Sequence, residues 1–198
     1  MRTLDEAALD ASSCTKCRLS EGRTQVVFGV GDPKADLMFI GEAPGFHEDK
    51  QGEPFVGAAG QLLNQLLSEI EILRQDVYIN NVILCRPPGN RDPLPDELDA
   101  CKPWLDERIG IIDPAVVVTL GNWATRYILG RQVSISRVRG QRFPWNGRTV
   151  IPTFHPAAVL HGGGQASNQM TALRADFQEI RTALAERPQA AEEQLGLF

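Results

Sequence analysis

Four cysteine side chains are the residues whose type and spacing most directly predict chemistry in this sequence. Cys14 and Cys17 form a Cys-x-x-Cys pair near the N-terminus, and Cys85 and Cys101 follow much later with fifteen residues between them. A Cys-x-x-Cys turn lets two thiolates converge on one metal centre, and four thiolates suit either tetrahedral zinc or an iron-sulfur cluster. The sequence therefore predicts a four-cysteine metal site and leaves the metal open.

Two other interpretations of these cysteines stay open at this level. A thioredoxin-like redox pair would explain the Cys-x-x-Cys motif, but it gives Cys85 and Cys101 no role, and the motif precedes the first predicted strand. Cys101 alone also fits the apolar face of a helix as a core residue. Disulfides are disfavoured because we expect a reducing, cytosolic compartment.

Apolar patterning predicts the elements that must position these residues. Four short runs rich in β-branched residues, each bounded by Gly, Pro or Asn, are typical of buried strands. Between them apolar residues recur on one helical face, and a last helix is expected over about 168–186. This alternation predicts an α/β fold with a four-stranded, mainly parallel sheet covered on both sides. The predicted strands are Leu37–Ile40, Val77–Leu84, Ala115–Leu120 and Thr149–Phe154, and the helical faces carry Leu62, Leu63, Leu66, Leu67 and Ile70, then Leu98, Cys101, Leu105 and Ile109.

Three polar segments follow the ends of these strands. Gly41–Gly45 follows the first predicted strand, the segment from Asn81 onward lies at the end of the second, and His155 follows the fourth. In open parallel sheets the reactive groups gather in the crevice beyond the carboxyl ends of the strands. We therefore expect the three segments to form one site, next to a rigid, proline-rich loop over 86–93.

Length and composition predict one domain, 1–187, followed by a short tail, 188–198. The 198 residues suffice for one sizeable core, and a hydrophobic fraction of 42% is ordinary. The sequence shows neither a signal segment nor an apolar run of roughly 18 residues, so we expect a cytoplasmic protein with no membrane partner. The net charge of −5 does not by itself favour DNA binding, but five arginines and no acidic residue lie between Arg131 and Arg148.

Four motifs occur in a fixed order, with the four cysteines in register. They are Gly-Glu-Ala-Pro-Gly at 41–45, Pro-Phe-Val-Gly-Ala-Ala-Gly at 54–60, Asn-Val-Ile-Leu-Cys-Arg-Pro-Pro-Gly-Asn-Arg at 81–91, and His-Pro-Ala-Ala-Val-Leu at 155–160. Together they resemble the family 4 uracil-DNA glycosylases, the iron-sulfur branch of that superfamily, over about residues 12–185. Their order and joint presence make the resemblance specific.

The resemblance implies a three-layer α/β/α sandwich around a four-stranded parallel sheet, and a 4Fe-4S cluster. The cluster would be bound by Cys14, Cys17, Cys85 and Cys101, which makes iron the expected metal in place of zinc. In this family the cluster looks structural, pinning the N-terminal segment and the loop after Cys85 near DNA. Loss of the metal is then expected to affect folding first.

The resemblance also implies a monofunctional base-excision repair enzyme that flips uracil out of DNA and hydrolyses its N-glycosidic bond, leaving an abasic site. Such an enzyme needs a pocket that stacks, reads and reacts. Phe55 offers a stacking face, and the Asn81 amide offers the donor and acceptor that match uracil and mismatch cytosine. The structural alternatives are a core residue for Phe55 and a strand-end turn residue for Asn81, a role that neighbouring Asn80 suits better.

Bond cleavage passes through an oxocarbenium-like sugar, with uracil leaving as an anion. We assign Glu42 to positioning or activating water and to stabilising the cationic sugar, and His155 to a hydrogen bond onto uracil O2. Backbone N–H groups around Gly41 and Ala43 complete the uracil-binding set, and Glu48 matches a family position near uracil C5, where it would exclude the thymine methyl. Another branch carries Asp where this chain has Ala43, so water activation by Glu42 is a hypothesis. A charged turn residue and a core histidine are the structural alternatives for the catalytic pair.

Contacts to DNA are expected from five arginines and two apolar residues. The arginines would bind phosphates, although surface arginines often only solubilise, and the apolar pair would fill the gap left by the flipped base, although it suits buried packing equally. The segment 136–140 contains no histidine, so we expect turnover and no covalent trap. These residues are Arg86, Arg91, Arg137, Arg139, Arg142, Val159 and Leu160.

The final residues resemble a docking peptide. The stretch 188–193 lacks large apolar residues and predicts a flexible tether. The sequence Gln-Leu-Gly-Leu-Phe that follows resembles the short peptide with which bacterial DNA polymerases and repair proteins bind the sliding clamp, and a purposeless apolar terminus is the alternative. The expected clamp contacts are Gln194, Leu195, Leu197 and Phe198.

Two other classes of function stand beside a monomeric enzyme that acts on uracil-containing DNA, single- or double-stranded. One is a lesion-binding or zinc-ribbon-like DNA module without turnover, which the joint presence of Glu42, Asn81 and His155 disfavours. The other is a phosphate-binding nucleotide enzyme, and the sequence lacks the glycine-rich phosphate fingerprints of that class.

Overall fold

One sheet forms the centre of the protein, whose computed structural model describes residues 2–186. Its strands are β1 (Val30–Gly31), β2 (Leu37–Gly41), β3 (Tyr78–Asn81), β4 (Val116–Leu120), β5 (Phe143–Trp145) and β6 (Arg148–Thr153). Their order in the sheet is β1-β3-β2-β4-β6-β5. The four central strands are parallel, which confirms the predicted α/β fold and its parallel core.

The prediction of four strands misses two short strands at the edges of the sheet. β1 pairs antiparallel with β3, and β5 pairs antiparallel with β6. β1 has only two residues, too few for a periodic signal, and β5 contains Pro144, which sheets accept mainly at their edges because proline lacks an N–H. The predicted second strand is also too long, since β3 ends at Asn81 and residues 82–84 lead as a loop to Cys85.

Eight α-helices among the described residues surround the sheet. They are α1 (Leu4–Ser12), α2 (Phe46–Gln51), α3 (Ala58–Glu69), α4 (Pro95–Ile112), α5 (Gly121–Leu129), α6 (Ile135–Val138), α7 (Pro156–His161) and α8 (Asn168–Ala185). Apolar periodicity predicts α3, α4 and α8, the three longest. Proline at the first position of α4 and of α7 suits a helix start, because the first N–H groups have no partner within the helix.

Alternation along the strands divides the core into two layers. Met38 and Ile40 of β2 face one layer, which contains residues of α1, α4 and α5, while Leu37 and Phe39 face the other, which contains residues of α3, α7 and α8. Successive side chains of a strand point to opposite faces, so an apolar run buries both. The structure is therefore a three-layer α/β/α sandwich.

No helix within residues 2–186 is long and apolar enough to cross a bilayer. The boundary placed after residue 187 lies outside the described residues. So do the predicted clamp contacts, Gln194, Leu195, Leu197 and Phe198.

Candidate active site

A cavity of about 340 Å³ lies beyond the carboxyl ends of β2 and β3, beside the start of α7. The segment after β2, the last residue of β3, the loop 86–93 and the residue before α7 meet there, as their placement at strand ends predicts. Seven of the predicted site residues line it: Glu42, Ala43, Glu48, Phe55, Asn81, Arg91 and His155.

Gly41 allows the stacking and reading side chains to approach the end of β2. It pairs in register with Asn81, and a Cβ at Gly41 would lie 2.4 Å from Asn81 Oδ1 and 2.8 Å from Phe55 Cζ. Gly60 does the same on the other side, since a Cβ there would lie 1.7 Å from the carbonyl oxygen of Phe55. Phe55 itself has φ +55°, which non-glycine residues rarely adopt. The two glycines thus make room for Phe55 and Asn81 in one wall of the cavity.

His155 is held as a neutral hydrogen-bond donor. Its ring stacks on Phe55 with centroids 5.6 Å apart, and its Nδ1 accepts the N–H of Ala157 at 3.2 Å, which caps α7. An accepting Nδ1 leaves the proton of the neutral ring on Nε2. Burial lowers the pKa of His155 to about 4, so the ring is uncharged at neutral pH.

Glu42 is the carboxylate of the cavity whose ionisation is most perturbed. Burial, followed by the negative charge of Asp92, raises the pKa of Glu42 to about 7. A carboxyl group with such a pKa exchanges protons readily near neutral pH, which suits a general base. The structural alternative of an ordinary charged turn residue does not account for this burial.

Glu48 fixes the loop that carries Phe55. Its carboxylate accepts the N–H of Val56 at 3.0 Å and the N–H of Gly57 at 3.2 Å. Gly45 passes close to the same carboxylate, because a Cβ there would lie 2.7 Å from Glu48 Oε2. Glu48 therefore lines the cavity and also ties α2 to the stacking residue.

Arg108 binds the backbone of Asn81, and its role was not predicted from the sequence. Its side chain is 0% exposed, and it donates to the carbonyl oxygens of Asn81 at 3.1 Å, Phe28 at 2.6 Å and Trp104 at 3.0 Å. A lone arginine in an amphipathic pattern predicts a surface position, so only the packing of α4 against the sheet reveals it. Its hydrogen bond fixes the backbone at the end of β3.

None of the four cysteines is in a disulfide; Cys85 and Cys101 belong to one core layer, and Cys14 and Cys17 pack against it. The Arg23 guanidinium donates to Cys85 Sγ at 3.4 Å, and the indole N–H of Trp104 donates to Cys14 Sγ at 3.3 Å. Burial raises the pKa of Cys101 to about 11 and also raises that of Cys85. N–H groups directed at sulfur are typical surroundings of metal-bound cysteines.

The predicted phosphate contacts differ in how far carboxylates already pair them. Arg139 binds the buried carboxylate of Asp176, Arg142 forms ion pairs with two glutamates of the α8 region, and Arg91 binds Glu97 through two hydrogen bonds of 2.6 and 2.8 Å. Arg86 donates instead to the amide oxygen of Asn90 at 2.7 Å. Arg137 lies in the exposed part of α6.

Two expectations from the sequence are corrected. Val159 is 0% exposed in the core, so it cannot fill a gap in DNA as placed, and the packing alternative describes it; Leu160 is only partly buried. Asn80 is not a turn residue but is buried inside β3. Val159 belongs to the motif at 155–160 and Asn80 directly precedes the motif at 81–91. In neither place does the sequence indicate which side chain faces the core.

Comparisons with known proteins agree with this site. Residues 28–179 match the family model described as the uracil DNA glycosylase superfamily. The chain is 47% identical over 190 residues to a type-4 uracil-DNA glycosylase of Sulfurisphaera tokodaii, covering 91% of this chain and 84% of the relative. It is 51% identical over 149 residues to that of Thermotoga maritima, covering 74% and 78%, and 33% identical over 162 residues to a type-5 enzyme of Thermus thermophilus, covering 72% and 74%. The chain therefore belongs to the uracil-DNA glycosylase superfamily and, within it, to the type-4 uracil-DNA glycosylases.

Proposed function

We propose that this chain excises uracil from DNA for base-excision repair, with Asn81 reading the base, Phe55 stacking on it, and Glu42 and His155 serving the hydrolysis. The observation that carries the proposal is the convergence of these four side chains on one cavity of about 340 Å³. That volume lies within the range of small-ligand pockets, so it suits a single extruded nucleotide.

Asn81 supplies the selectivity. Its side chain lies at the end of β3 against Gly41, and Arg108 fixes its backbone carbonyl, so we infer that the side-chain amide is held in one orientation. A fixed amide can donate to uracil O4 and accept from N3–H, whereas cytosine would leave both partners unpaired. Glu48 lines the same cavity, and we expect it to exclude the methyl group that distinguishes thymine from uracil.

Glu42 and His155 each stabilise one of the two charges that develop as the bond breaks. Ionised Glu42 orients or deprotonates the attacking water and stabilises the cationic sugar. Neutral His155 donates its Nε2–H to uracil O2 as the base departs with the bonding electrons. Backbone N–H groups around Gly41 and Ala43 add donors to the same wall.

We propose that Cys14, Cys17, Cys85 and Cys101 hold a 4Fe-4S cluster, whose contribution when bound is to join the N-terminal segment to the loop after β3 and to α4. Within residues 2–186 no three His, Cys, Asp or Glu side chains form a ligand group for a metal ion as they stand. The N–H groups that Arg23 and Trp104 direct at the sulfurs of Cys85 and Cys14 support a metal-bound state of these cysteines. The preference for iron over zinc rests on the similarity to the iron-sulfur branch of the superfamily.

The DNA strand would run over the loop 86–93 and α6. Arg86 and Arg137 are free of carboxylate partners among the described residues, so we favour them as phosphate contacts. Arg91, Arg139 and Arg142 would first have to share or exchange their partners. Leu160 alone remains a candidate for the apolar wedge.

The remaining proposals concern the setting of the enzyme. The protein would act as a monomer in the cytosol, where a reducing compartment keeps its cysteines unpaired. The tail residues Gln194, Leu195, Leu197 and Phe198 would bind a sliding clamp and bring the enzyme to replicated DNA.

Excision of uracil from a labelled strand, followed by alkaline cleavage of abasic sites, tests the function. Wild-type protein should cleave, and Glu42→Gln should lower the rate by roughly 10²- to 10⁴-fold while leaving affinity for uracil-DNA largely intact, because the change removes the base but keeps the shape. Glu71→Gln is the matched control, since Glu71 lies beyond α3 at the other end of the sheet. Unchanged turnover in Glu42→Gln would remove Glu42 from the mechanism, and an inactive wild type would favour the binding-module alternative.

A further inference from the structure

Phe46 is an exposed aromatic residue beside the mouth of the cavity. Its side chain is 45% exposed at the first position of α2, directly after Gly45, which lines the cavity. It belongs to neither core layer described above. Single exposed apolar side chains are common on protein surfaces, so what distinguishes Phe46 is its position directly beside the cavity lining.

Two cations lie over this ring, and one of them connects it to the loop 86–93 that borders the cavity. The ammonium of Lys50 lies 4.6 Å from the ring centroid and the guanidinium carbon of Arg86 lies 5.1 Å from it. Arg86 also donates to Asn90, a residue of the cavity lining on the loop 86–93. Among residues 2–186 neither cation forms an ion pair with a carboxylate.

An aromatic ring with unpaired cations over it matches the chemistry of one nucleotide. The base offers a flat face for stacking, and the phosphate beside it offers a negative charge. A stacked base gains more than an exposed cation over the same ring, so a base can displace the exposed Lys50 ammonium, which then lies next to a phosphate.

We propose that Phe46, with Lys50 and Arg86, is a stacking platform for the nucleobase next to the flipped uracil. The proposal rests on the proposed function, because the platform has a use only if uracil enters the neighbouring cavity. Extrusion unstacks the bases on either side of the uracil, and a ring at the mouth of the cavity would replace one lost stacking partner.

Single-turnover excision on three single strands tests the platform. One strand carries uracil between two normal bases, and the others carry a tetrahydrofuran abasic analogue at the 5′ or the 3′ neighbour. Phe46→Ala should lower kcat/KM on the intact strand by roughly tenfold, and should cause almost no further loss on the strand that lacks the stacked base. Phe46→Trp should retain activity on the intact strand.

Leu73→Ala is the control for loss of an exposed apolar side chain. Leu73 is 59% exposed and precedes β3, so it lies at the opposite end of the sheet from the cavity, and its removal should change none of the three rates. An equal effect of Phe46→Ala on all three strands, or no effect on any, would overturn the platform while excision by the wild type upholds the proposed function. A wild type that leaves uracil in the intact strand would overturn both.

Fluorescence provides a second measurement that does not depend on turnover. 2-Aminopurine placed beside a non-hydrolysable 2′-fluoro-deoxyuridine should be quenched when the wild type binds, because its base stacks on the ring. Phe46→Ala should leave the probe bright at saturating protein, whereas equal quenching by both proteins would contradict stacking on Phe46.

Discussion

At the scale of single residues, loss of water sets the protonation states that the chemistry needs. Burial pushes both Glu42 and His155 towards their neutral forms, to pKa values of about 7 and about 4. For His155 the neutral form is the useful one, because its Nδ1 can accept the N–H of Ala157 while its Nε2–H donates to the substrate. For Glu42 the useful form is the anion, so the same physical effect makes its ionisation the step that depends on pH.

The rate of excision should therefore follow the ionisation of Glu42. With its pKa raised to about 7, kcat/KM should increase about tenfold for each pH unit up to about pH 7 and level off above it, because only the carboxylate can act as base. His155 stays neutral above about pH 5, so it should add no second limb in this range. The measurement is log kcat/KM against pH from 5.5 to 9 on a single strand. Glu42→Gln should lack the rise, Glu71→Gln should keep it, and a flat wild-type profile would contradict the assignment.

Residues of the site differ in how well their chemistry can be read from the chain. Phe55, Asn81 and His155 stand in motifs at strand ends, and the topology brings them together as expected. Arg108 stands seven residues after Cys101 on the predicted apolar face of α4, but its charged side chain predicts an exposed position, so the sequence does not reveal its burial. Val159 shows the reverse, since a motif residue beside His155 is buried in the core.

At the scale of elements, continuous apolar runs predict the four parallel strands because burial on both faces leaves no alternative pattern. The edge strands carry little such signal: β5 has residues that are only partly buried and a proline, and β1 is formed by two residues. Short helices such as α2 and α7 are also hard to predict, because they are positioned by caps and loops and not by a long apolar face. Both carry residues that line the cavity, so the missed elements include two that shape the site.

The packing of α4 on β3 should depend on Arg108. Replacing Arg108 by Met would leave the carbonyl oxygens of Asn81, Phe28 and Trp104 without that donor in a buried region, which should lower the Tm by roughly 5–15 °C. Arg108→Gln retains some of the hydrogen-bond donors, so its Tm should lie between those of the wild type and Arg108→Met. The measurement is thermal unfolding of the protein as purified, with its metal.

Arg18→Met is the matched control for loss of an arginine near the same helix. Arg18 binds Asp96 at 2.8 Å with both side chains exposed, and such surface pairs contribute little. If Arg108→Met were as stable as Arg18→Met, the buried guanidinium would not be what fixes the end of β3.

At the scale of the whole molecule, the cysteines join segments that are distant in sequence. They connect the region after α1, the loop after β3 and α4, so a metal bound to them would close a loop of about 67 residues between Cys17 and Cys85 and one of fifteen between Cys85 and Cys101. Two of these segments also lead into the cavity, through the loop 86–93 and through the Arg108 contact. The cluster can therefore influence excision by keeping the site assembled, without touching the substrate.

Removing the metal should then lower the stability of the fold, and should lower the rate of excision only as a consequence of unfolding. Wild-type protein is expected to be brown, and oxidation with a chelator should bleach the violet absorption and lower the Tm. Below the new Tm, excision should fall only in proportion to the folded fraction measured by circular dichroism. Loss of excision in bleached protein that keeps its full Tm would give the cluster a chemical role, and protein that is colourless but contains zinc would overturn the assignment of iron.

The tail should affect where the enzyme acts and leave its chemistry unchanged. Every described residue that lines the cavity falls between 42 and 157, so deletion of Gln194–Phe198 removes none of them. Deletion should abolish binding to an immobilised bacterial sliding clamp, while kcat/KM on a short uracil-containing oligonucleotide stays within about twofold of the wild type. Leu197→Ala with Phe198→Ala should reproduce the loss, because apolar anchors supply most of the affinity of such peptides. Deletion of the polar stretch 188–193 alone should shorten the tether but retain binding. Full clamp binding by the chain that lacks Gln194–Phe198 would refute the assignment of the clamp contact to these residues.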